Sequence, residues 1–319
     1  MNPRNPGSEI VFFGTPEFAA HILRELVARG VNIVAAVTTP DKPRGRGLHV
    51  ESSAVSRVAT ELGIPVFKPT KHRDPEFLQS LRELHADVFV VVAYKILPIE
   101  VIAIPRLGAF NVHASLLPKY RGAAPINWAI MRGESETGIT TFLLEQGVDT
   151  GGILMQERTP IGPDETAGEL HDRLMIMGAR VAFDTIQCLS AGTLHPAPQS
   201  NEDATSAPKI FPKDCEIDIH KSALDIHNFI RGLSPHPGAW IRQEGLHLKL
   251  LRARRSDEMF DIASQAQGLF VSPGHKHLYL RTIDGVIDIL EVQREGKRAM
   301  SAEEFLRGNM TLFPSHLQT

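Results

Sequence analysis

Three polar residues carry the chemistry that this sequence makes legible. Asn111 and His113 stand two residues apart in Asn111-Val112-His113, directly after the apolar pair Ala109-Phe110. Alternate side chains of an extended segment point the same way, so the two polar groups share a direction. They fall at the carboxyl end of an apolar strand, which is where open α/β sheets place ligands. An asparagine amide can donate to an oxygen on which negative charge develops, and a histidine exchanges protons near neutrality. The third residue is Asp149, the carboxylate of the glycine-dense stretch Gly147-Val148-Asp149-Thr150-Gly151-Gly152. Set beside His113, it would fix the ring tautomer and favour the protonated form. Each residue also has a plain structural reading: Asn111 orders a turn, His113 is a hydrogen-bonded structural histidine, and Asp149 makes an Asx-turn.

Two other motifs point elsewhere and are weaker. Ser115 lies close to His113 in sequence, but no G-x-S-x-G elbow surrounds it, which argues against acyl-enzyme chemistry. Gly14-Thr15-Pro16 follows a buried apolar run and feeds a helix, yet Pro16 and Ala19 stand where a dinucleotide fingerprint needs its second and third glycines. No nicotinamide cofactor is expected.

The elements that must position these residues alternate in period. Ile10 to Phe13 reads as a buried strand; Thr15 can cap the next helix and Pro16 can take its first position. The apolar positions Phe18, Ile22, Leu23, Leu26 and Val27 then recur at helical spacing up to Gly30. Strands are expected at 31–37, 87–93, 109–112, 138–144 and 153–158, and helices at 53–62, 74–84, 125–131 and 166–189. This is the order of a mostly parallel, Rossmann-like sheet flanked by helices. From Ala191 to Pro212 the chain supplies Gly192, Pro196, Pro198, Pro208 and Pro212, which reads as an extended linker. Beyond it a helix at 223–231 and short strands at 246–253, 268–271, 277–282 and 286–292 predict a second, smaller β-rich domain. Ser301-Ala302-Glu303-Glu304 resembles a capping box. The expected division is therefore a catalytic domain over 1–190, a linker over 191–212 and a β-rich domain over 213–319.

Composition limits the partners. With 319 residues, 42% hydrophobic, the chain has ample core material for one large domain or two smaller ones. Its 34 Lys and Arg against 37 Asp and Glu give a net charge of -3, which argues against a surface that is basic throughout and leaves room for local basic patches. Cys188 and Cys215 belong to no C-x-x-C spacing, so neither a disulfide scaffold nor a zinc knuckle is expected, and a reducing, cytoplasmic location fits. No apolar leader and no run of membrane-spanning length is present.

Four stretches together resemble the folate-dependent formyltransferases, over nearly the whole chain. They are Phe13-Gly14-Thr15-Pro16-Glu17-Phe18, Asn111 through Pro118, Tyr120-Arg121-Gly122-Ala123-Ala124-Pro125-Ile126, and Gly147-Val148-Asp149-Thr150-Gly151. The resemblance implies that Asn111, His113 and Asp149 are the catalytic triad and that Ser115, Leu116, Leu117 and Pro118 form the turn bordering the folate site. It implies 10-formyltetrahydrofolate as a formyl donor consumed in the reaction, no metal, and an OB-like fold for the second domain. Within the family, the branch that formylates the α-amino group of methionyl initiator tRNA fits best; its members would be cytoplasmic, and a monomer is expected. A branch acting on amino sugar nucleotides would keep the same triad without tRNA patches, and a silent RNA-binding relative is disfavoured by the complete triad. The sequence departs from the family at Tyr94-Lys95-Ile96-Leu97-Pro98, one residue tighter than usual, with Lys95 where glycine is expected.

Two basic patches would meet the tRNA. The loop Asp41-Lys42-Pro43-Arg44-Gly45-Arg46-Gly47 resembles a family insertion near the acceptor end, and Arg44 and Arg46 are its expected contacts. The second patch is Arg252, Arg254 and Arg255. Strand alternation sets Arg252 and Arg254 on the side of Leu246, Leu248 and Leu250, so that face is expected to leave the core before the arginines begin. Lys249 would join only if a bulge or twist brought it round.

Overall fold

The computed structural model describes residues 8–44, 49–256, 267–272, 276–309 and Phe313. The chain divides into two compact units. The first comprises residues 1–125, 137–159 and 171–207; the second comprises 126–136, 160–170 and 208–319.

The first unit is built on a seven-stranded sheet. In chain order its elements are β1 (Ile10–Gly14), α1 (Glu17–Ala28), β2 (Ile33–Val37), the β3–β4 hairpin (Lys42–Arg44 and His49–Glu51), α2 (Ala54–Glu61), β5 (Val66–Phe67), α3 (Pro75–Glu83), β6 (Val88–Val92), α4 (Ile99–Ile102), β7 (Ala109–His113) and β8 (Arg121–Gly122). After α5 (Pro125–Met131) come β9 (Glu136–Leu143), β10 (Ile153–Pro160), the long α6 (Ala167–Ser190) and β11 (Ser206–Ala207). The sheet order is β10-β9-β7-β6-β1-β2-β5, with β5, β2, β1, β6 and β7 parallel and β9 antiparallel to β7. This is the mostly parallel sheet that the alternating periods predict. β1 and β6 are buried at every position because each is covered on both faces, so they read as unbroken apolar runs. One face packs Phe13 against Phe89 at 5.1 Å and Tyr94 at 5.7 Å.

Two local readings change. Helix α1 begins at Glu17, with Pro16 in extended backbone at the cap position and no side-chain cap bond, so Thr15 does not cap it. The passage 191–212 is extended but not a free linker. Ala197 exchanges backbone hydrogen bonds with Ile153 at 2.7 and 2.8 Å, and β11 pairs in parallel with β8. Proline and glycine in the passage set an extended path, and the edges of neighbouring segments then satisfy its backbone groups. Its last residues, from Pro208, belong to the second unit.

The second unit holds a six-stranded antiparallel sheet. Its elements are a 3-10 turn (Pro212–Cys215), α7 (Ala223–Leu233), β12 (Ala239–Gln243), β13 (Leu246–Arg255), β14 (Gly268–Val271), β15 (Leu278–Arg281), β16 (Val286–Arg294), β17 (Ala299–Ser301) and α8 (Ala302–Asn309). The order is β12-β13-β16-β15-β14, with β17 on β16. Ile226 and Ile230 of α7 and Phe305 and Leu306 of α8 share one core with Leu248, Leu250, Leu280 and Ile289 of the sheet. Ser301 accepts the Glu304 backbone N–H at 3.1 Å, half of the predicted capping box.

Candidate active site

Strand β7 delivers the first two polar residues. Asn111 lies opposite Val91 of β6 and Phe142 of β9, and His113 lies opposite Thr140 of β9. Asn111 is half-buried, and its carboxamide hydrogen-bonds to none of the described residues, which leaves its donors for a ligand. His113 is 7% exposed and its Nε2 donates to the Tyr120 carbonyl at 2.8 Å. A carbonyl can only accept, so Nε2 carries a hydrogen and Nδ1 is the nitrogen that takes up or releases a proton.

Asp149 approaches that nitrogen. Its Oδ2 lies 3.9 Å from His113 Nδ1 and accepts the Gly122 backbone N–H at 2.8 Å. The separation is beyond a hydrogen bond but within ion-pair reach. The tautomer, expected to be set by Asp149, is set by the Tyr120 carbonyl. His113 and Asp149, which lies in the connection between β9 and β10, thus come within ion-pair reach, and Asn111 stands two residues before His113 on β7.

The backbone around them is unusual. Tyr120 and Asp149 have φ of 63° and 54°, and Ala93, just past β6, has 45°. Left-handed backbone at non-glycine residues costs about 1–3 kcal/mol and persists only where the surroundings impose it. Gly122 has φ of 127° and a Cβ there would fall 2.5 Å from the Ala207 carbonyl oxygen; at Gly151 a Cβ would fall 1.8 Å from that of Leu143. The glycines of the third and fourth motifs are thus demanded by close backbone approach.

The turn 115–118 is pinned from beneath. Ser115 Oγ donates to the Lys119 carbonyl at 2.7 Å; Thr140 Oγ1 donates to the Ser115 carbonyl at 2.6 Å and accepts the Leu117 N–H at 3.1 Å. Gln156 Nε2 donates to the Leu117 carbonyl at 2.7 Å. Ser115 and Leu117 are buried and Leu116 and Pro118 half-buried, so the first two act by shaping the turn. Thr140 and Gln156 escape sequence reasoning because one lies in an apolar strand and the other in an alternating one, with no motif around either. At 94–98, burial pushes the Tyr94 hydroxyl up to about 12, and it pairs with His72 Nε2 at 3.0 Å. Burial, and secondarily the Lys95 charge, hold His72 below the usual histidine range.

The second unit treats its arginines differently. Arg252 pairs with Glu169, and Arg254 grips the buried Asp288 with Nε at 3.0 Å and Nη2 at 2.8 Å. Hydrogen bonds from Thr166, and then the Arg252 side chain, keep the Glu169 carboxyl below its usual range. Arg255 is exposed at the strand end. The apolar face of β13 does not leave the core: the register slips between Leu250 and Ala253, both Leu250 and Leu251 are buried, and Ala253 takes the inward place. That bulge turns Arg252 and Arg254 outward. Lys249 Nζ donates to the Pro237 carbonyl at 2.7 Å. In the first patch, Arg44 lies in β3, Arg46 falls outside the described residues, and Asp41 is held by Lys68 at 2.7 Å, which lowers its carboxyl. A concavity of about 680 Å³ in the second unit, with Trp128, Met131 and Phe229 in its wall, contains none of the residues singled out from sequence.

Comparison with known proteins decides the family. The pattern described as formyl transferase matches residues 8–186, and that described as formyl transferase, C-terminal domain, matches residues 209–310. The chain belongs to the formyl transferase family. Among its relatives, the methionyl-tRNA formyltransferase of Bacteroides thetaiotaomicron is 41% identical over 94% of this chain and 95% of its own. That of Chlorobium luteolum is 45% identical over 94% of this chain and 96% of its own. Among solved structures, HypX from Aquifex aeolicus in complex with tetrahydrofolic acid superposes with a TM-score of 0.64 at 15% identity, covering 94% of this chain and 47% of HypX. An N-formyltransferase from Helicobacter canadensis, in complex with folinic acid and dTDP-3-aminofucose, gives 0.64 at 21% identity over 88% and 97%. These two share the fold of this formyl transferase. Among its described residues no cluster of histidine, cysteine and carboxylates could hold a metal, and no helix is long and apolar enough to cross a membrane.

Proposed function

We propose that this formyl transferase moves the formyl group of 10-formyltetrahydrofolate to the α-amino group of methionyl initiator tRNA, and that Asn111, His113 and Asp149 carry the reaction. The observation that carries the reading is the approach of His113 Nδ1 to within 3.9 Å of the Asp149 carboxylate, with Asn111, whose amide bonds to none of the described residues, two positions away on the same strand. Near-complete coverage of the methionyl-tRNA formyltransferases, at 41–45% identity, supports the choice of acceptor.

The residues suit a folate donor. An open concavity of about 500 Å³ in the first unit, lined by Lys71, His72, Arg73, Ile96, Leu97 and Pro98, combines apolar walls with cations for carboxylates. The backbone of Ser115 to Pro118 borders the reacting end in this reading. Amine addition to the formyl carbon puts negative charge on the formyl oxygen. The Asn111 amide and an Nδ1–H of His113 donate to it, and the Asp149 carboxylate faces that ring nitrogen. The amine gives up its proton before it adds, and the folate nitrogen gains one as it leaves.

In the same reading residues 1–190 form the catalytic domain, 191–212 connect it onward, and 213–319 form an OB-like domain that holds tRNA. Arg44, Arg46, Arg252, Arg254 and Arg255 contact the nucleic acid in this reading, Arg252 and Arg254 by exchanging their carboxylate partners for phosphate. The enzyme works as a cytoplasmic monomer. Labelled formyl from 10-formyltetrahydrofolate should appear on charged initiator tRNA, and not on uncharged tRNA, free methionine or an amino sugar nucleotide. Transfer to the sugar nucleotide alone would overturn the assignment.

A further inference from the structure

The passage that reads in sequence as a linker runs beside the candidate catalytic loop, and one of its side chains holds that loop. Gln199 Nε2 donates to two carbonyls, that of Asp149 at 3.0 Å and that of Gly151 at 2.7 Å. Its two amide hydrogens are therefore both committed to the loop. Its Oε1 accepts from Arg121 Nε at 3.1 Å and Nη2 at 2.8 Å, while Arg121 Nη1 donates to Asn201 at 3.0 Å. A guanidinium offers only donors, so it forces the amide oxygen toward itself and the amide nitrogen toward the loop.

The same passage braces the other side of His113. Thr205 Oγ1 accepts the Tyr120 N–H at 2.9 Å and the Thr205 carbonyl accepts the Arg121 N–H at 2.9 Å. Tyr120 supplies the carbonyl that holds His113 Nε2, and Gly122 supplies the N–H that holds the Asp149 carboxylate. Asp149 sits in left-handed backbone, a conformation that relaxes unless its neighbours impose it. Gln199 bonds to the carbonyls on both sides of Thr150 and thus clamps the loop that carries it.

We infer that Gln199 is a positioning residue of this enzyme: it fixes the Asp149 loop so that the carboxylate faces His113 Nδ1, and Arg121 sets the orientation of its amide. The inference rests on the reading of Asp149 and His113 as reacting groups. Displacement of about 1 Å in such a group can cost a hundredfold in rate, although Gln199 itself touches no reacting atom.

The test uses the full-length enzyme, 10-formyltetrahydrofolate and charged initiator tRNA. Gln199→Leu removes both donors at similar volume. Gln199→Glu keeps the length and the pairing with Arg121 but offers only acceptors to the two carbonyls, so it serves if the leucine variant does not fold. Either is expected to lower kcat at least tenfold with both KM values within threefold, because a displaced carboxylate no longer faces the ring while substrate binding is untouched. In an Asp149→Asn background the same substitution should cost less than twofold, since the group it positions no longer carries charge. A kcat within twofold of wild type, or an equal fold loss in both backgrounds, overturns the inference. Asp149→Asn alone separates the two levels: full turnover there defeats the reading of the site itself, whereas a hundredfold loss there beside an unaffected Gln199 variant defeats only the role of Gln199.

Discussion

The end of β7 and the arginine end of β13 both present polar side chains at the margin of a sheet, and they resolve their hydrogen-bonding capacity in opposite ways. At β7 the Asn111 amide bonds to none of the described residues and His113 Nδ1 stands 3.9 Å from a carboxylate, while the surrounding backbone is held in costly conformations by neighbours. At β13 two of three arginines are matched with carboxylates, Arg254 to a buried one. The first arrangement keeps capacity for a substrate, and the second consumes it in the fold. A set of arginines is therefore not a binding surface until their partners have been counted, because a guanidinium satisfied by a carboxylate must first give it up.

The sharpest break between the regions is Asn111→Ala. Loss of one oxyanion donor is worth about 3 kcal/mol, so kcat should fall roughly a hundredfold with an unchanged melting temperature. Steady-state formylation beside a thermal melt checks it, and full turnover in the folded variant would remove Asn111 from the chemistry.

Arg254→Ala should behave in the reverse sense. It strips the hydrogen-bonding partner from Asp288, whose side chain is 4% exposed, and leaves it His277 Nδ1 at 3.8 Å, while Arg254 itself is largely exposed. The expected loss is about 1–2 kcal/mol of stability, smaller than for a fully buried pair, read from the denaturant midpoint. Unchanged stability with weakened tRNA binding would mean that Arg254 acts on the nucleic acid and not through Asp288.

Acid should act on the second unit through His227. Its ring is buried, with Nε2 3.1 Å from Asp164 Oδ1 and 3.2 Å from the Ala253 carbonyl. Burial first, and then the Arg231 charge, hold its pKa below the ordinary 6.5, against the opposing pull of Asp164. The unfolded chain thus binds a proton that the folded chain refuses, so stability is full above about pH 6.5 and declines as pH falls from there toward the lowered folded-state value. His227→Gln should flatten that decline in melts taken between pH 7 and 5; an identical slope would rule the residue out.

Arg255→Ala is expected to have the smallest effect. It should leave stability within about 0.5 kcal/mol and reduce the slope of log affinity for tRNA against log salt by about one. Binding insensitive to salt would count against both basic patches.

Much of the site was legible because its logic is local. The two-residue spacing of Asn111 and His113 is a property of any strand, and the glycines around Asp149 and at Gly122 announce backbone that no side chain could accompany. The burial of β1 and β6 follows from their unbroken apolar runs. Gln199, Thr140, Gln156 and Thr205 were illegible, since polar residues in a proline-rich passage or a strand gain meaning only from what lies opposite. Arg252 and Arg254 were misplaced by alternation, because a bulge changes phase without a residue type to mark it.

Residue types and periods by themselves determined a mostly parallel α/β sheet and a β-rich second part, and they marked Asn111, His113 and Asp149 as polar groups suited to oxyanion and proton chemistry. Tertiary structure alone decided that the Tyr120 carbonyl sets the His113 tautomer, that the Asp149 carboxylate lies 3.9 Å from the other ring nitrogen, and that the 196–207 passage braces the loop. The physical reason is common to all three. Periodicity and propensity act over a few residues, whereas hydrogen bonds and ion pairs join groups that only the closed chain brings within reach.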